Sequence, residues 1–342
     1  MKGKIKEIIS IILIILVIVI IGIVIKNLIN IANDKEKEIP AEEKYNNIKN
    51  ISTYDNPIVP EGFTKVETDT ASWEEVNGKP KGWDKGLVIK DNIGNEFVWV
   101  PFKENINLKE YTLIGDFIFQ DNGKGYSIKE FIQLLKYQGY YVSRYEIGLP
   151  DEIINNTNTF SKETNNKEGT PVSKKGRIVW NFIDWNIAKS NAKNMYNNEN
   201  VKSDLITNGE WDNLVNWIAE EDYRNSNEYG NYVDSNFNFT GYYSIDYGAT
   251  YSYGENIRKE VYNMILSTGS TERNKNKNIY DLAGNVLEFT DMYKYKNEKD
   301  RIITSYNTRG GFYDEREASI REIDSVSDAN SRQGFRVVLY ME

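Results

Sequence analysis

Asn278 to Asp291 reads NIYDLAGNVLEFTD, and nearly every residue in it has a geometric task on which its neighbours depend. Ile279 and Tyr280 read as a strand entering a turn. In Ala283-Gly284-Asn285 a glycine and an asparagine, the two residues most tolerant of positive φ, stand together between apolar runs, which is the chemistry of a tight turn. Beyond it Val286, Glu288 and Thr290 alternate with Leu287 and Phe289. Two acids, Asp281 and Glu288, bracket the turn, and a cluster of hard oxygens of this kind suits a calcium ion. An ordinary hairpin with two solvated acids fits the same residues.

DLAGNVLEFTD resembles the NxxGNVWEW signature of the formylglycine-generating-enzyme (sulfatase-modifying factor) domain. Further blocks stand in that family's order: YYVSRYEI at Tyr140 to Ile147, Pro171-Val172, the helix at Trp185, DLITNGEWD at Asp204 to Asp212, RGGFY at Arg309 to Tyr313, and GFRVVLY at Gly334 to Tyr340. The resemblance implies an α+β fold, an elaborated C-type-lectin-like domain. It also implies calcium held by Asp281 and Glu288 with the backbone carbonyls of Gly284 and Val286. The chain departs from the family at Leu287 and Phe289, where tryptophans are usual, and at Asp281, where asparagine is usual.

Ile8 to Ile25 is an apolar run of eighteen residues broken only by Ser10 and Gly22. At ~1.5 Å per residue a helix of that length nearly spans a bilayer core of ~30 Å. A cleaved signal peptide would have a shorter apolar region and a small-residue cleavage site, whereas Lys26 and Asn27 here lead into Leu28, Ile29 and Ile31. Lys2, Lys4 and Lys6 precede the run against Glu7 alone, which keeps residues 1–7 in the cytoplasm and sends the remainder outside. The sequence therefore reads as a cytoplasmic end (1–7), a transmembrane helix (8–25), a charged, Asn-rich stalk (26–60) and one extracytoplasmic domain (61–342).

Composition agrees with that address. Beyond the anchor and its flanking charges, 38 of the 42 basic and 50 of the 51 acidic residues remain, and so strongly acidic a body is unsuited to nucleic acid. With no cysteine there is no disulfide framework, so the domain depends on its core.

Within the domain, GLVIKDNIGNEFVWVP (Gly86 to Pro101) has the pattern of a hairpin around Asp91 to Asn95. Ser127 with Glu130 forms a capping box for a helix that stops near Gly139, and Thr207 with Glu210 forms another. Trp185, Ala188, Ala192 and Met195 share one face of a helix that Asn181 is placed to cap. Asp151 to Glu168 reads as a polar surface insertion, and Glu221 to Tyr253 as a long Tyr/Asn-rich loop of the kind that binds something or moves.

The chain has no histidine and no cysteine. The family's copper chemistry, which uses a cysteine pair, and the histidine-iron chemistry of its relatives therefore have no ligands here. A Ser-His-Asp or Cys-His nucleophile and an ordinary zinc site are excluded for the same reason. Carboxylate-only catalysis survives, because it needs only two suitably spaced acids.

The expected function is a noncatalytic, membrane-anchored binding module for an extracellular protein or glycan. A carboxylate-based or family-type enzyme and a structural component of a cell-surface assembly are the alternatives. Ligand contact is expected on Phe312 to Gln333 and Glu221 to Tyr253, with Tyr313, Arg316 and Arg321 exposed. Protease added to intact cells should release the domain by cutting in the stalk; protection until the membrane is permeabilised would show the opposite orientation.

Overall fold

Two apolar runs, Val88–Asp91 and Glu96–Pro101, pair antiparallel around the expected turn. Asp91 holds that turn by accepting from the amides of Ile93 (3.1 Å) and Asn95 (2.7 Å). This hairpin lies within a six-stranded antiparallel sheet in a computed structural model that describes residues 38–218, 230–259, 263–296, 301–313, 318, 320–323 and 328–342. The expected membrane span lies outside those residues, and no helix within them is long and apolar enough to cross a membrane.

The sheet runs Val201–Leu205, Val337–Met341, Gly139–Ser143, Glu96–Pro101, Val88–Asp91, Phe63–Val66. Successive side chains of a strand point to opposite faces, and here both faces are buried. Val98, Val100, Tyr140, Val142, Val338 and Tyr340 enter one core, while Phe97, Trp99, Tyr141, Val337, Leu339 and Met341 enter the other. Helices α1 (Ile128–Tyr137) and α3 (Asn208–Ile218) cover the first face through Phe131, Leu134, Trp211, Leu214, Val215 and Ile218. Helix α2 (Trp185–Met195) covers the second through Ala188 and Ala192. The chain is thus a mixed α+β protein, mostly sheet.

The caps follow the sequence with one correction. Thr207 and Glu210 form a reciprocal box, each amide donating to the other side chain at 2.8 and 3.0 Å. The Ser127 side chain accepts from the Glu130 amide at 3.3 Å, and α1 ends at Gln138, in the left-handed region, immediately before Gly139. Helix α2 is capped by Asp184, whose carboxylate accepts from the Ile187 amide at 3.0 Å, rather than by Asn181. Asn181 is buried and donates instead to the Ser331 carbonyl.

Three expectations about extended or loose segments change. The stalk does not run to residue 60: Glu38–Pro40 pairs with the strand Tyr111–Ile114, and Ala41 and Tyr45 are buried in the core, the Tyr45 ring 5.9 Å from Phe131. Glu42, Glu43 and Lys44 occupy the outer side of that single helical turn, so a charged composition conceals an inward pair at i and i+4. The insertion at Asp151 to Glu168 is tied down by two helical turns and by Phe160, buried against Tyr251. The region expected as a loop up to Tyr253 contains a strand, Asn238–Ser244, paired with Ser252–Arg258.

GFRVVLY is not one strand. Gln333–Phe335 pairs parallel with Leu287–Phe289 in a second sheet, ordered Arg321–Ile323, Asn307–Arg309, Leu287–Phe289, Gln333–Phe335. Val337–Met341 joins the first sheet. Arg336 stands at the break between them.

Between α1 and α3 two buried acids hold one residue: the Thr207 hydroxyl donates to Glu130 at 2.9 Å and the Thr207 amide to Glu210 at 2.8 Å. Burial, with Glu210 nearby, pushes the Glu130 carboxyl up to about 8, and burial pushes Glu210 up to about 7. A carboxyl whose folded pKa is raised stabilises fully below its unfolded value, near 4.5, and that contribution is lost as pH rises through the folded value. The melting temperature of Glu130→Gln should therefore fall less than that of the native chain between pH 5 and 7.5. Lys189, lowered to about 8 chiefly by burial, titrates in both proteins and drops out of the comparison between them. Parallel pH profiles for the two proteins would remove Glu130 from the account.

Candidate functional site

The glycine turn has the backbone its sequence requires. Asp281, Gly284 and Asn285 have φ of 57°, 75° and 66°, and a Cβ on Gly284 would fall 2.4 Å from the Asn231 carbonyl oxygen. Asn285 fastens the turn in place: its amide nitrogen donates to Glu146 (2.5 Å) and its oxygen accepts from the Leu266 amide (2.9 Å) and Asn231 (2.9 Å).

Asp281 and Glu288 are both buried, which excludes the reading of solvated acids. Asp281 accepts from the Gly269 amide (2.6 Å) and from the Asn274 side chain (3.3 Å), and burial raises its carboxyl to about 6 against those donors. Glu288 receives Arg336: Nε lies 3.1 and 2.8 Å from its two oxygens and Nη2 lies 2.6 Å from Oε1. The same guanidinium donates to the carbonyls of Ser143 (2.9 Å) and Tyr280 (2.9 Å). Burial raises Glu288 and Glu146 above the usual carboxylate range, Glu146 also because Asp281 and Glu288 are close.

At the four positions expected to hold calcium, then, both carboxylates are already engaged, and the cation facing Glu288 is a guanidinium. Among the described residues no group of three or more Asp, Glu, His or Cys side chains is disposed to hold a metal ion. Arg336 and Glu146 are the members of this centre that were not singled out from the sequence. Their signal was present as a lone arginine in GFRVVLY and a lone acid in YYVSRYEI, each a charge inside an apolar run.

The second candidate is the hairpin Asn238–Ser244 and Ser252–Arg258. Its foot is apolar, with Phe237, Phe239, Met264 and Leu266 forming a small core of their own. Its outer face is aromatic: Tyr242 and Tyr253 are register partners with ring centroids 5.3 Å apart at 70°. Tyr242 is 41% exposed, Tyr253 56%, Tyr247 53% and Ile245 59%, so the hairpin and its tip present four large side chains to water. The tip is ordered by Asp246, which accepts from the Ser244 hydroxyl (2.7 Å) and from the amide (2.9 Å) and hydroxyl (2.7 Å) of Thr250. Desolvation is the largest single influence on its carboxyl and raises it, but these bonds together outweigh it and hold the group below the usual range.

The two segments expected to carry ligand contact do meet, because the Tyr247 ring lies 6.3 Å from that of Tyr313. The individual residues differ from expectation. Tyr313 is buried, packed edge-on to Phe312 at 5.3 Å, because it closes the small core of Val179, Ile265, Val286 and Leu287. Arg321 is exposed, with its guanidinium 2.8 Å from Asp212 on α3. Arg316 lies outside the described residues. The exposed aromatic surface belongs to the hairpin, where Gly241 and Ser244 at inward positions broke the alternation of a strand and gave the sequence the look of a loop.

No family model matches the chain, and no curated protein matches it. Among solved structures it has a remote likeness to one titled "Crystal Structure of CarF", at 16% identity and a TM-score of 0.34, covering 60% of this chain and 88% of that one.

Proposed function

We propose that this chain is a membrane-anchored, extracytoplasmic binding module with a formylglycine-generating-enzyme-like, C-type-lectin-like domain. It acts without catalysis and takes an extracellular protein or glycan on the ridge of Tyr242, Ile245, Tyr247 and Tyr253. The observation that carries this reading is the exposure of those four side chains together on an ordered hairpin. Tyrosine supplies a large apolar face and a polar tip at low entropic cost, which is why it recurs at binding hot spots. The lack of histidine and cysteine removes the ligands of the family's metal chemistry and supports a noncatalytic role. An array of glycans and peptides probed with the solubilised chain tests the reading.

Replacing Tyr242, Tyr247 and Tyr253 together with alanine should weaken the binding found by roughly tenfold or more. The melting temperature should shift little, since a cross-strand aromatic pair contributes only ~0.2–1 kcal/mol. Unchanged affinity would remove the ridge from consideration.

Calcium belongs to the same proposal, under the condition that the turn imposes: for Asp281, Gly284, Val286 and Glu288 to hold the ion, Glu288 must release Arg336. A chelator should then lower stability by about 2.7 kcal/mol relative to calcium at a hundred times Kd. Glu288→Gln should remove most of that dependence. Equal melting temperatures with calcium and with chelator would leave the arginine as the cation of this centre.

A further inference from the structure

A pocket of about 290 Å³ opens at the edge of the six-stranded sheet, away from both the glycine turn and the tyrosine ridge. Its wall is built by the start of α1 (Lys129), the end of α2 (Lys193, Asn194), Asn197, the edge strand Val201–Leu205, Tyr340 and Glu342. At that size it suits a ligand smaller than a typical drug molecule.

The charge on this wall is unusual for so acidic a chain. Asp204, fully buried, forms ion pairs with Lys129 and with Lys189, the latter at 2.5 Å. Lys189 also reaches Asp291 at 2.5 Å. The two carboxylates, Asp204 and Asp291, are therefore matched one for one by the two ammonium groups, Lys129 and Lys189. Lys129 stands in the first turn of α1, where the helix dipole disfavours a cation, and it lies 4.8 Å from the centre of the Tyr340 ring. Burial pulls its ammonium below the usual lysine range.

At the rim, Lys193 is exposed and has no ion-pair partner among the described residues. Lys202 pairs with Glu342 at 3.1 Å, but both side chains are about half exposed, and such a pair is weak enough to exchange. Asn194 and Asn197 add amide donors to the same opening. Three lysines and two amides thus face one small volume, with Asp204 compensated by Lys129 and Lys189, Glu342 paired to Lys202 at the rim, and Lys193 left over as the excess cation.

We propose that this pocket binds a tetrahedral oxyanion, phosphate or sulfate, between Lys129, Lys193 and Lys202. The anion supplies Lys193 with a partner, takes Lys202 from Glu342 and gives the part-buried Lys129 a second counter-charge. An ammonium group makes a point-charge contact to such an anion and needs no fixed fork geometry, so lysine suits the role.

The test uses the full chain in detergent at pH 7, titrated calorimetrically with sodium phosphate or sodium sulfate against sodium chloride at matched ionic strength. Millimolar concentrations keep the ions below the range in which they act by exclusion from the protein surface. Saturable binding of phosphate or sulfate but not chloride is expected. Lys193→Gln combined with Lys202→Gln should weaken it roughly tenfold or more, since two charge-assisted contacts are lost. Both positions are exposed, so the fold should be retained, and Lys65→Gln, whose lysine lies over Trp73 outside the pocket, should leave binding unchanged. The proposal is overturned if phosphate, sulfate and chloride titrate alike, or if Lys65→Gln costs as much as the pocket pair.

Discussion

The ion pair of Arg336 and Glu288 is the constraint around which the two main sheets are arranged. Taking both charges out of water costs several kcal/mol per ion, and their attraction offsets this only if the remaining donors are also satisfied. The guanidinium meets that condition by bonding the Ser143 carbonyl of one sheet and the Tyr280 carbonyl beside the glycine turn, as well as Glu288 of the other sheet. Its position between Gln333–Phe335 and Val337–Met341 lets one continuous segment serve two sheets. Removing either partner would leave an uncompensated charge at the centre of the molecule, a loss of about 3–5 kcal/mol in comparable cases.

Around this pair the interior is richer in carboxyl groups than in cations. Glu146 and Asp281 approach the same arginine, while Glu130 and Glu210 share Thr207 a short distance along the sheet. Burial raises all four, so the neutral form of a carboxyl is part of how this fold satisfies its core. The contrast with the periphery is sharp: Glu272, on the surface and bonded by Lys175, Lys275 and Tyr280, is held down to about 2 despite some desolvation.

Much of the scaffold was legible because it is locally encoded. The hairpin at Asp91 to Asn95, the glycine turn at Gly284 and the Thr207 capping box depend on residues within a few positions of one another, and each formed as the sequence implied. What escaped is non-local. Nothing near Ala41 and Tyr45 announces that Phe131 will cover them, and nothing near Tyr313 announces that Val179 and Ile265 will. The tyrosine hairpin escaped for the opposite reason: its outward residues are those of a loop, and its inward ones, Phe239 and Ser244 among them, are too few and too mixed to stand out. In the glycine turn, the acids were visible from the sequence, but the cation that answers them is about fifty residues downstream, beyond the reach of motif spacing.

The placement of Val337–Met341 has a consequence for how the molecule comes into being. This strand is inserted between Gly139–Ser143 and Val201–Leu205, so it pairs with one segment ~200 residues earlier in the chain and with another ~135 residues earlier. During synthesis its two neighbours, Gly139–Ser143 and Val201–Leu205, must each wait with one unpaired edge until these five residues arrive. Until then Val142 and Leu205, the partners of Val338 and Val337, stay apart, and unpaired edges of this kind are open to chaperones and proteases. The order of the strands thus makes closure of this sheet wait on the filling of a single gap, whatever has already paired on either side of it.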